Sequence, residues 1–138
     1  MRIVMRSLVS SIALSMVVPV AAQAADHNIR VELNALDGTE TQCRMTFVVE
    51  NKSAALDSLK LDLVVFNTES VVYRRILTEM GPVRSGRTMV KTFAIETKCA
   101  AVGAVLVNDI SACVPGEPNA CLDGLTLTSR VNNVRLYK

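Results

Sequence analysis

The sequence contains no tryptophan, and only 4% of its 138 residues are aromatic. It has a single histidine, whereas a serine or cysteine nucleophile normally needs a histidine base. Its six glycines stand singly, so the sequence contains no glycine-rich phosphate loop. A formal net charge of +2 is too small for a dedicated nucleic-acid-binding protein. We therefore expect neither an enzyme nor a nucleic-acid binder, and we expect no cofactor.

The first 24 residues have the three-part pattern of a secretory signal peptide. A short basic start contains Arg2 and Arg6, and a mostly apolar stretch follows at residues 8–18. Small residues at Ala22 and Ala24 predict cleavage after Ala24. A membrane anchor is the alternative, but this stretch is shorter than the roughly 20 residues that span a bilayer. Because the leader has no twin arginine, we expect export by the general secretory route to the periplasm, or beyond it, without a transmembrane anchor after cleavage.

Removal of this leader leaves one domain, residues 25–138, with 13 basic and 13 acidic side chains. Residues 26–69 contain eight acidic and four basic residues, whereas residues 70–98 contain two acidic and six basic ones. Within the second segment, the basic residues predicted to bind a partner are Arg74, Arg75, Arg84, Arg87 and Lys91. They form either a patch for an anionic partner, such as a lipid phosphate, a glycan or an acidic protein, or a charged edge strand that resists association between sheets.

All four cysteines lie in the exported part of the chain, which predicts two disulfides in an oxidising compartment. Three pairings are possible. Proximity favours Cys113 with Cys121 across the proline-containing loop at residues 115–119, which leaves Cys43 to pair with Cys99. A metal site is the alternative, but the spacing has no C-x-x-C pair and no nearby histidine, so it does not favour zinc.

The domain is dominated by a period of two in hydrophobicity, which is typical of half-buried strands. Such alternation occurs at residues 29–36, 43–49 and 59–65, and shorter stretches indicate about four more strands. Residues 98–102 resemble a helical turn that ends at Gly103. About seven strands separated by polar turns predict an all-β fold, a single antiparallel immunoglobulin-like β-sandwich.

Several segments resemble small exported proteins. The runs FVVEN at residues 47–51 and LKLDLVVF at residues 59–66, with the later turn at residues 81–82, resemble extracytoplasmic sandwiches of the FxLYD and LEA-like type. The whole domain, especially residues 43–66 and 105–130, is similar to a family of small exported alphaproteobacterial proteins that are often labelled twin-arginine signal-sequence proteins. Both resemblances imply an exported β-sandwich and carry no catalytic residues over to this chain.

The histidine, His27, has a specific interpretation if cleavage falls after Ala24. The new amino terminus would then read Ala25-Asp26-His27. A free amine, two backbone amides and an imidazole at the third position give the square-planar ligand set that suits Cu(II) or Ni(II). The simpler interpretation is a solvent-exposed histidine at a frayed chain end.

Two further surfaces bear on function. A disulfide and two prolines would make the loop between Cys113 and Cys121 a rigid binding surface, unless the bridge merely orders the loop. The carboxylates Asp57, Asp62 and Asp109 show no spacing that requires two to converge. The sequence favours a non-catalytic periplasmic β-sandwich that binds or supports another cell-envelope component, an unknown envelope protein or an anionic component. A periplasmic copper- or nickel-binding protein is the alternative, and a secreted hydrolase or inhibitor is a third hypothesis.

Overall fold

The computed structural model of the protein describes residues 26–138. The signal peptide predicted at residues 1–24 lies outside the described residues. The described part contains eight strands, one α-helix and one 3₁₀ turn. In chain order they are β1 (Ile29–Gly38), β2 (Cys43–Asn51), β3 (Ser58–Asn67), β4 (Val72–Glu79), β5 (Arg87–Ile95), the 3₁₀ turn (Cys99–Ala101), β6 (Val102–Val114), α1 (Pro118–Asp123), β7 (Leu125–Ser129) and β8 (Arg135–Tyr137).

The strands form two four-stranded sheets. The first sheet has the order β5-β2-β1-β7, and the second has the order β4-β3-β6-β8. The pairs β1–β2, β2–β5, β3–β4 and β3–β6 are antiparallel. The two C-terminal strands pair in parallel, β7 with β1 and β8 with β6. One edge of each sheet is therefore formed by a C-terminal strand, and the other edge by β5 or β4.

The core is built from alternate residues of the central strands. Strand β2 lies between β1 and β5. On it, Met45 and Phe47 are fully buried, whereas Arg44 points to solvent. Strand β3 buries Leu61 and Leu63 in the core, and Asp62 between them is buried on the other face of the sheet. Successive side chains of a strand point to opposite faces, so each sheet has one apolar face. These two faces cover each other and form the hydrophobic core of the sandwich.

The predicted all-β sandwich with two disulfides is confirmed. β1, β2 and β5 share one sheet, and β3 pairs with β6 in the other, as strands A, B, E, C and F do in an immunoglobulin sandwich. The structure adds the three-residue strand β8, which is too short to show alternation. The prediction of a purely antiparallel fold is corrected by β7 and β8, and α1 is an unpredicted addition.

The two disulfides lie at opposite ends of the sandwich. Cys43 begins β2 and pairs in register with Gly38, the last residue of β1. Its partner Cys99 lies in the 3₁₀ turn that precedes β6. Cys113 lies near the last residue of β6, at the opposite end of the sandwich. Ile29 begins β1 at this same end and lies next to the turn that follows α1.

Candidate functional site

The Cys113–Cys121 end is organised by a tight reversal of the chain after β6. The chain turns through residues 115–117, and α1 then returns Cys121 to a Cα–Cα distance of 6.5 Å from Cys113. Pro118 is the first residue of this helix, where its missing N–H has no intrahelical partner to lose. Both cysteines are buried and bonded to each other, so the predicted pairing is confirmed.

His27 packs against this reversal. The backbone carbonyl of Asn28 accepts a hydrogen bond from Lys52 N–H at 2.9 Å, and Ile29 N–H donates to the Gly124 carbonyl at 3.3 Å. These bonds fix the two residues that follow His27, and His27 itself is only 6% exposed. The interpretation of His27 as a solvent-exposed residue at a frayed end is therefore wrong, because the segment before β1 is already part of the packed domain.

The imidazole of His27 and the two sulfurs form a compact cluster. The ligand atoms of His27, Cys113 and Cys121 all lie within 4.8 Å of one another, and all three residues are buried. The Nδ1 atom of His27 is enclosed and has no hydrogen-bond partner. Buried polar atoms in folded proteins are normally paired. Within residues 26–138, this is the one group of three or more potential metal ligands at such short range.

Two glycines make room for His27, one beside its imidazole and one beside its backbone. A Cβ on Gly116 would stand 3.0 Å from the Nε2 atom of His27 and 3.6 Å from the sulfur of Cys113. The backbone of Gly116 also has a φ of +140°, which L side chains rarely adopt. A Cβ on Gly124 would stand only 2.0 Å from the carbonyl oxygen of His27. The loop and the turn after α1 thus approach His27 by backbone alone.

The Cys43–Cys99 bridge is a simpler structural element. It joins residues 56 positions apart, and Cys43 is fully buried at the start of β2. This pairing is also confirmed. Among the described residues, no histidine or carboxylate joins these two sulfurs in a group of metal-ligand spacing. The two bridges therefore differ in their neighbours.

The five basic residues predicted to bind a partner lie on the edge strands and the segment between them. Arg74 and Arg75 are on β4, Arg87 and Lys91 are on β5, and Arg84 lies in the connecting segment. The two edges belong to different sheets. The register places Lys91 opposite the buried Phe47, hence on the inward side of its strand. Arg75 is on the outer face of the second sheet, so the five do not share one face.

Two of these basic residues are already paired with carboxylates. Arg75 donates to both oxygens of Asp62, at 2.7 and 2.5 Å. Arg74 lies 3.5 Å from a carboxylate oxygen of Glu96, beyond the end of β5, so this ion pair links the two edge strands. Within the described part of the chain, Arg84 and Lys91 form no salt bridge.

The edge strand β4 exposes apolar side chains that the sequence pattern does not single out. Val72 is 58% exposed and Leu77 is 67% exposed, and Val71 and Tyr73 are also largely exposed. We call these four residues the β4 edge surface. In the register, Val72 stands opposite Phe66 on the outer face of the second sheet. An apolar residue in a strand is usually assigned to the core, so the alternation in sequence does not distinguish this exposed group from buried residues.

The outer face of the first sheet is polar. Glu32 is nearly buried there and accepts hydrogen bonds from Asn34 at 2.9 Å and Arg30 at 3.1 Å. It also forms an ion pair with Arg130 at 3.0 Å. The hydrogen bond from Asn34 and the charges of Arg130 and Arg30 hold the pKa of Glu32 below its usual value, although burial acts in the opposite direction. This carboxylate is a structural ion at neutral pH.

The second sheet brings two of the scattered carboxylates together. Asp62 on β3 and Asp109 on β6 are directly opposite in the register, whereas Asp57 lies before β3. Asp62 is buried and also accepts a hydrogen bond from Asn108 at 2.8 Å. The hydrogen bond from Arg75, together with that from Asn108, holds the pKa of Asp62 below its usual range. A general acid needs the opposite shift.

Comparisons with known proteins return no relative for this chain. No protein-family model, no curated protein and no solved structure matches it. The stated resemblances to FxLYD, LEA-like and alphaproteobacterial exported proteins therefore stay predictions. Within residues 26–138, the structure has no helix that is long and apolar enough to cross a bilayer.

Proposed function

We propose that this protein is a non-catalytic periplasmic β-sandwich that binds another envelope protein through the β4 edge surface. The observation that supports this most directly is the exposure of Val72, Tyr73 and Leu77 on the edge strand β4, and of Val71 just before it. Large apolar side chains exposed together on a surface typically mark an interaction site.

The hydrogen-bonding pattern of β4 defines how a partner would bind. β4 pairs with β3 on one side, and among the described residues no strand pairs with its other side. Backbone N–H and C=O groups on a free edge can pair with an extended segment of another protein. The apolar side chains at Val72 and Leu77 would then contact alternate residues of that segment.

The charges of β4 favour an acidic partner segment. Arg74 is 3.5 Å from the exposed carboxylate of Glu96, and such surface pairs are weak enough to exchange for a partner carboxylate. The alternative, that the basic residues only protect an edge from association, does not explain the four apolar side chains of the β4 edge surface. A protected edge normally has few exposed apolar residues.

Co-purification from envelope extract tests this proposal. We expect the double variant Val72→Asp/Leu77→Asp to lose the partner that the wild-type domain captures, because both sites are exposed on β4. Val90→Asp on the other edge strand, β5, is the matched control because Val90 is 62% exposed. Recovery of the same partner by the double variant would show that β4 is not the binding edge.

An anionic component of the envelope is a different kind of partner and needs its own measurement. Charge reversal at Arg74 and Arg84 should leave binding to vesicles of anionic lipid unchanged if the partner is a protein bound through β4. A large loss of vesicle binding in the variant Arg74→Glu/Arg84→Glu would instead support an anionic envelope component and contradict the proposal. The substitutions are at exposed positions, so the fold should tolerate them.

The assignment to the periplasm is supported by the chemistry of the cysteines. All four are joined in disulfides, and disulfides persist mainly in oxidising compartments. The predicted signal peptide at residues 1–24 agrees with this location. Mass measurement of the first residue in a periplasmic fraction tests both the location and the cut after Ala24.

The non-catalytic role is supported by the state of the buried carboxylates. Glu32 and Asp62 both have lowered pKa values, because hydrogen bonds and neighbouring arginines favour their charged forms. Hydrolysis by a carboxylate pair needs one carboxyl with a raised pKa to act as the acid. Neither group provides it.

A second candidate function is Cu(II) or Ni(II) binding by Ala25-Asp26-His27. The observation that favours it is the Nδ1 atom of His27, which has no hydrogen-bond partner. The burial of the imidazole means that the segment would have to leave the domain to bind in a square plane. Titration of the oxidised, correctly processed protein with Cu(II) tests it, and addition of one residue before Ala25 should abolish binding.

A further inference from the structure

The surroundings of the Cys113–Cys121 bridge suggest more than a structural role. Among the described residues, the Cys43–Cys99 bridge has no histidine or carboxylate at metal-ligand spacing. At the Cys113–Cys121 bridge, the buried His27 lies beside the two sulfurs, and the three ligand atoms are within 4.8 Å of one another. The absence of a side chain at Gly116 leaves room for its imidazole.

We propose that reduction of this disulfide creates a binding site for a thiophilic d¹⁰ metal ion, Zn(II) or Cu(I), with Cys113, Cys121 and His27 as ligands. This inference concerns a different face of the molecule from the β4 edge surface and stands independently of the proposed function. It also differs from the amino-terminal copper and nickel candidate, since it needs neither a free amine nor a particular cleavage position.

The redox step is a conventional thiol–disulfide exchange with a dithiol reductant. One thiolate of the dithiol attacks a sulfur of the bridge, and its second thiol resolves the mixed disulfide. The S–S bond between Cys113 and Cys121 breaks and takes up two electrons and two protons, and the dithiol becomes a disulfide. Metal binding then releases the two thiol protons, because thiolates are the ligands.

The ligand set fits a thiophilic cation. Zn(II) is bound by thiolate sulfur at about 2.3 Å and by imidazole nitrogen at about 2.0–2.1 Å, and sites with three protein ligands and one open position are well known. Thiolate ligands equally suit Cu(I). Two thiolates and one neutral imidazole balance the charge of Zn(II), which lowers the cost of holding the ion in a buried site. His27 would supply one imidazole nitrogen to this ion.

Only a small rearrangement separates the disulfide from the metal site. The ligand atoms are already within 4.8 Å, whereas ligands of a tetrahedral zinc site are separated by somewhat less than 4 Å at the bond lengths given above. Residues 114–117 are exposed, so the loop between the cysteines can adjust without uncovering the main core. The ring closed by this bridge is also short, with a separation of 8 residues.

Metal titration of the reduced protein under anaerobic conditions tests the site. Zn(II) and Cu(I) are titrated separately in competition with a chromophoric chelator, and Co(II) is used as a spectroscopic substitute for zinc. We expect one high-affinity ion per chain with reduced protein and none with oxidised protein. Co(II) should give a thiolate-to-cobalt charge-transfer band, and the ion that competes better identifies the cation.

Three variants assign the ligands. His27→Gln should weaken metal binding at least tenfold, and Cys113→Ser/Cys121→Ser should abolish it. The matched control, Cys43→Ser/Cys99→Ser, removes the other pair of thiols and should keep the metal, with circular dichroism as the check on folding. Should that control not fold, the His27 imidazole resonances of the reduced wild type provide the second measurement, because they must shift on addition of one equivalent of Zn(II).

The proposal is overturned by any of three results. One is a reduced wild-type protein that binds neither Zn(II) nor Cu(I) in competition with the chelator. The second is equal affinity in the wild type and in His27→Gln, which would show two cysteines acting without the histidine. The third is metal binding that follows Cys43 and Cys99 instead. Failure of the proposed β4 interaction would leave this titration unaffected.

Discussion

The two ends of the sandwich contain the same covalent bond in different surroundings. At one end, Cys43 is fully buried at the start of β2, and its bridge to Cys99 spans 56 positions of sequence. At the other end, Cys113 and Cys121 are 8 positions apart and share their space with a buried imidazole. A bond of the first kind restricts the unfolded chain strongly, whereas one of the second kind restricts it less.

We infer from this difference that the two bridges have different roles. The long-range bridge fixes how the first sheet meets the start of β6, and its loss affects the whole domain. The short-range bridge fixes only α1 and the loop before it, so its state can change while both sheets keep their pairing.

Removal of the long-range bridge should have the largest effect. In the loop-entropy model, the double variant Cys43→Ala/Cys99→Ala loses about 4 kcal/mol of unfolding free energy. The reason is that the bridge joins residues 56 positions apart and so reduces the conformational entropy of the unfolded chain. Urea denaturation without reducing agent measures the loss. A smaller loss than that of the other bridge would contradict the comparison.

Removal of the short-range bridge should cost less. The double variant Cys113→Ala/Cys121→Ala is expected to lose about 2.5 kcal/mol, since its loop has a separation of 8 residues. Changes in amide chemical shifts should be confined to α1, its loop and His27. Widespread changes in β2 and β5 would show that this bridge supports the whole domain.

Crowding at the histidine end should be sensitive to a single methyl group. Gly124→Ala would place a Cβ 2.0 Å from the carbonyl oxygen of His27, so we expect a loss of about 1–3 kcal/mol. Gly86→Ala is the comparison, because no atom lies within 4 Å of its new Cβ and any loss there comes from its φ of +67°, whereas Gly124 has an ordinary φ of −77°. Thermal unfolding of both variants measures the difference. An unchanged stability of Gly124→Ala would mean that contact with His27 has no energetic role.

The smallest effect concerns a carboxylate that supports the end containing Cys113. Glu79 accepts hydrogen bonds from the Ser58 hydroxyl at 2.6 Å and from Leu59 N–H and Gly81 N–H at 2.8 Å. Burial raises the pKa of Glu79, but these hydrogen bonds outweigh it and hold the pKa below its usual value. We expect Glu79→Gln to lose about 1–2 kcal/mol at neutral pH.

The sign of the pH dependence provides a further check on Glu79. A carboxyl whose pKa is lower in the folded state contributes stability above its unfolded pKa, and this contribution disappears as the pH falls through the folded pKa. The difference in stability between wild type and Glu79→Gln should therefore shrink below about pH 4, the ordinary range of a glutamate. Urea denaturation at a series of pH values measures it. A difference that is independent of pH would exclude the charged form as the cause.

Much of the fold follows from local sequence patterns. Alternation on β2 and β3 predicts two half-buried strands, and proximity predicts the pairing of Cys113 with Cys121. Both features depend on residues that are neighbours in sequence. The parallel pairing of β7 with β1 and of β8 with β6 could not be predicted in this way, because five-residue and three-residue strands have no distinctive period.

The candidate sites were harder to predict for a physical reason. His27 reaches Cys113 through contacts between segments more than 80 positions apart, and no local pattern records such a contact. The single indication in the sequence was a glycine in the loop between the two cysteines, at position 116. For the β4 edge surface, Val72 and Leu77 look like core residues until the sheet order places β4 at an edge.

The pairing of the first strand with the seventh has a consequence for the order of folding. β1 needs Leu125–Ser129 beside it, so the first sheet cannot be completed until almost the entire chain is available. Folding that depends on such distant contacts is slow relative to folding through local ones. Until that segment is available, β1 has only β2 beside it and its other edge stays open. The final strands complete both sheets, which makes the carboxyl-terminal segment the last step in assembling the domain.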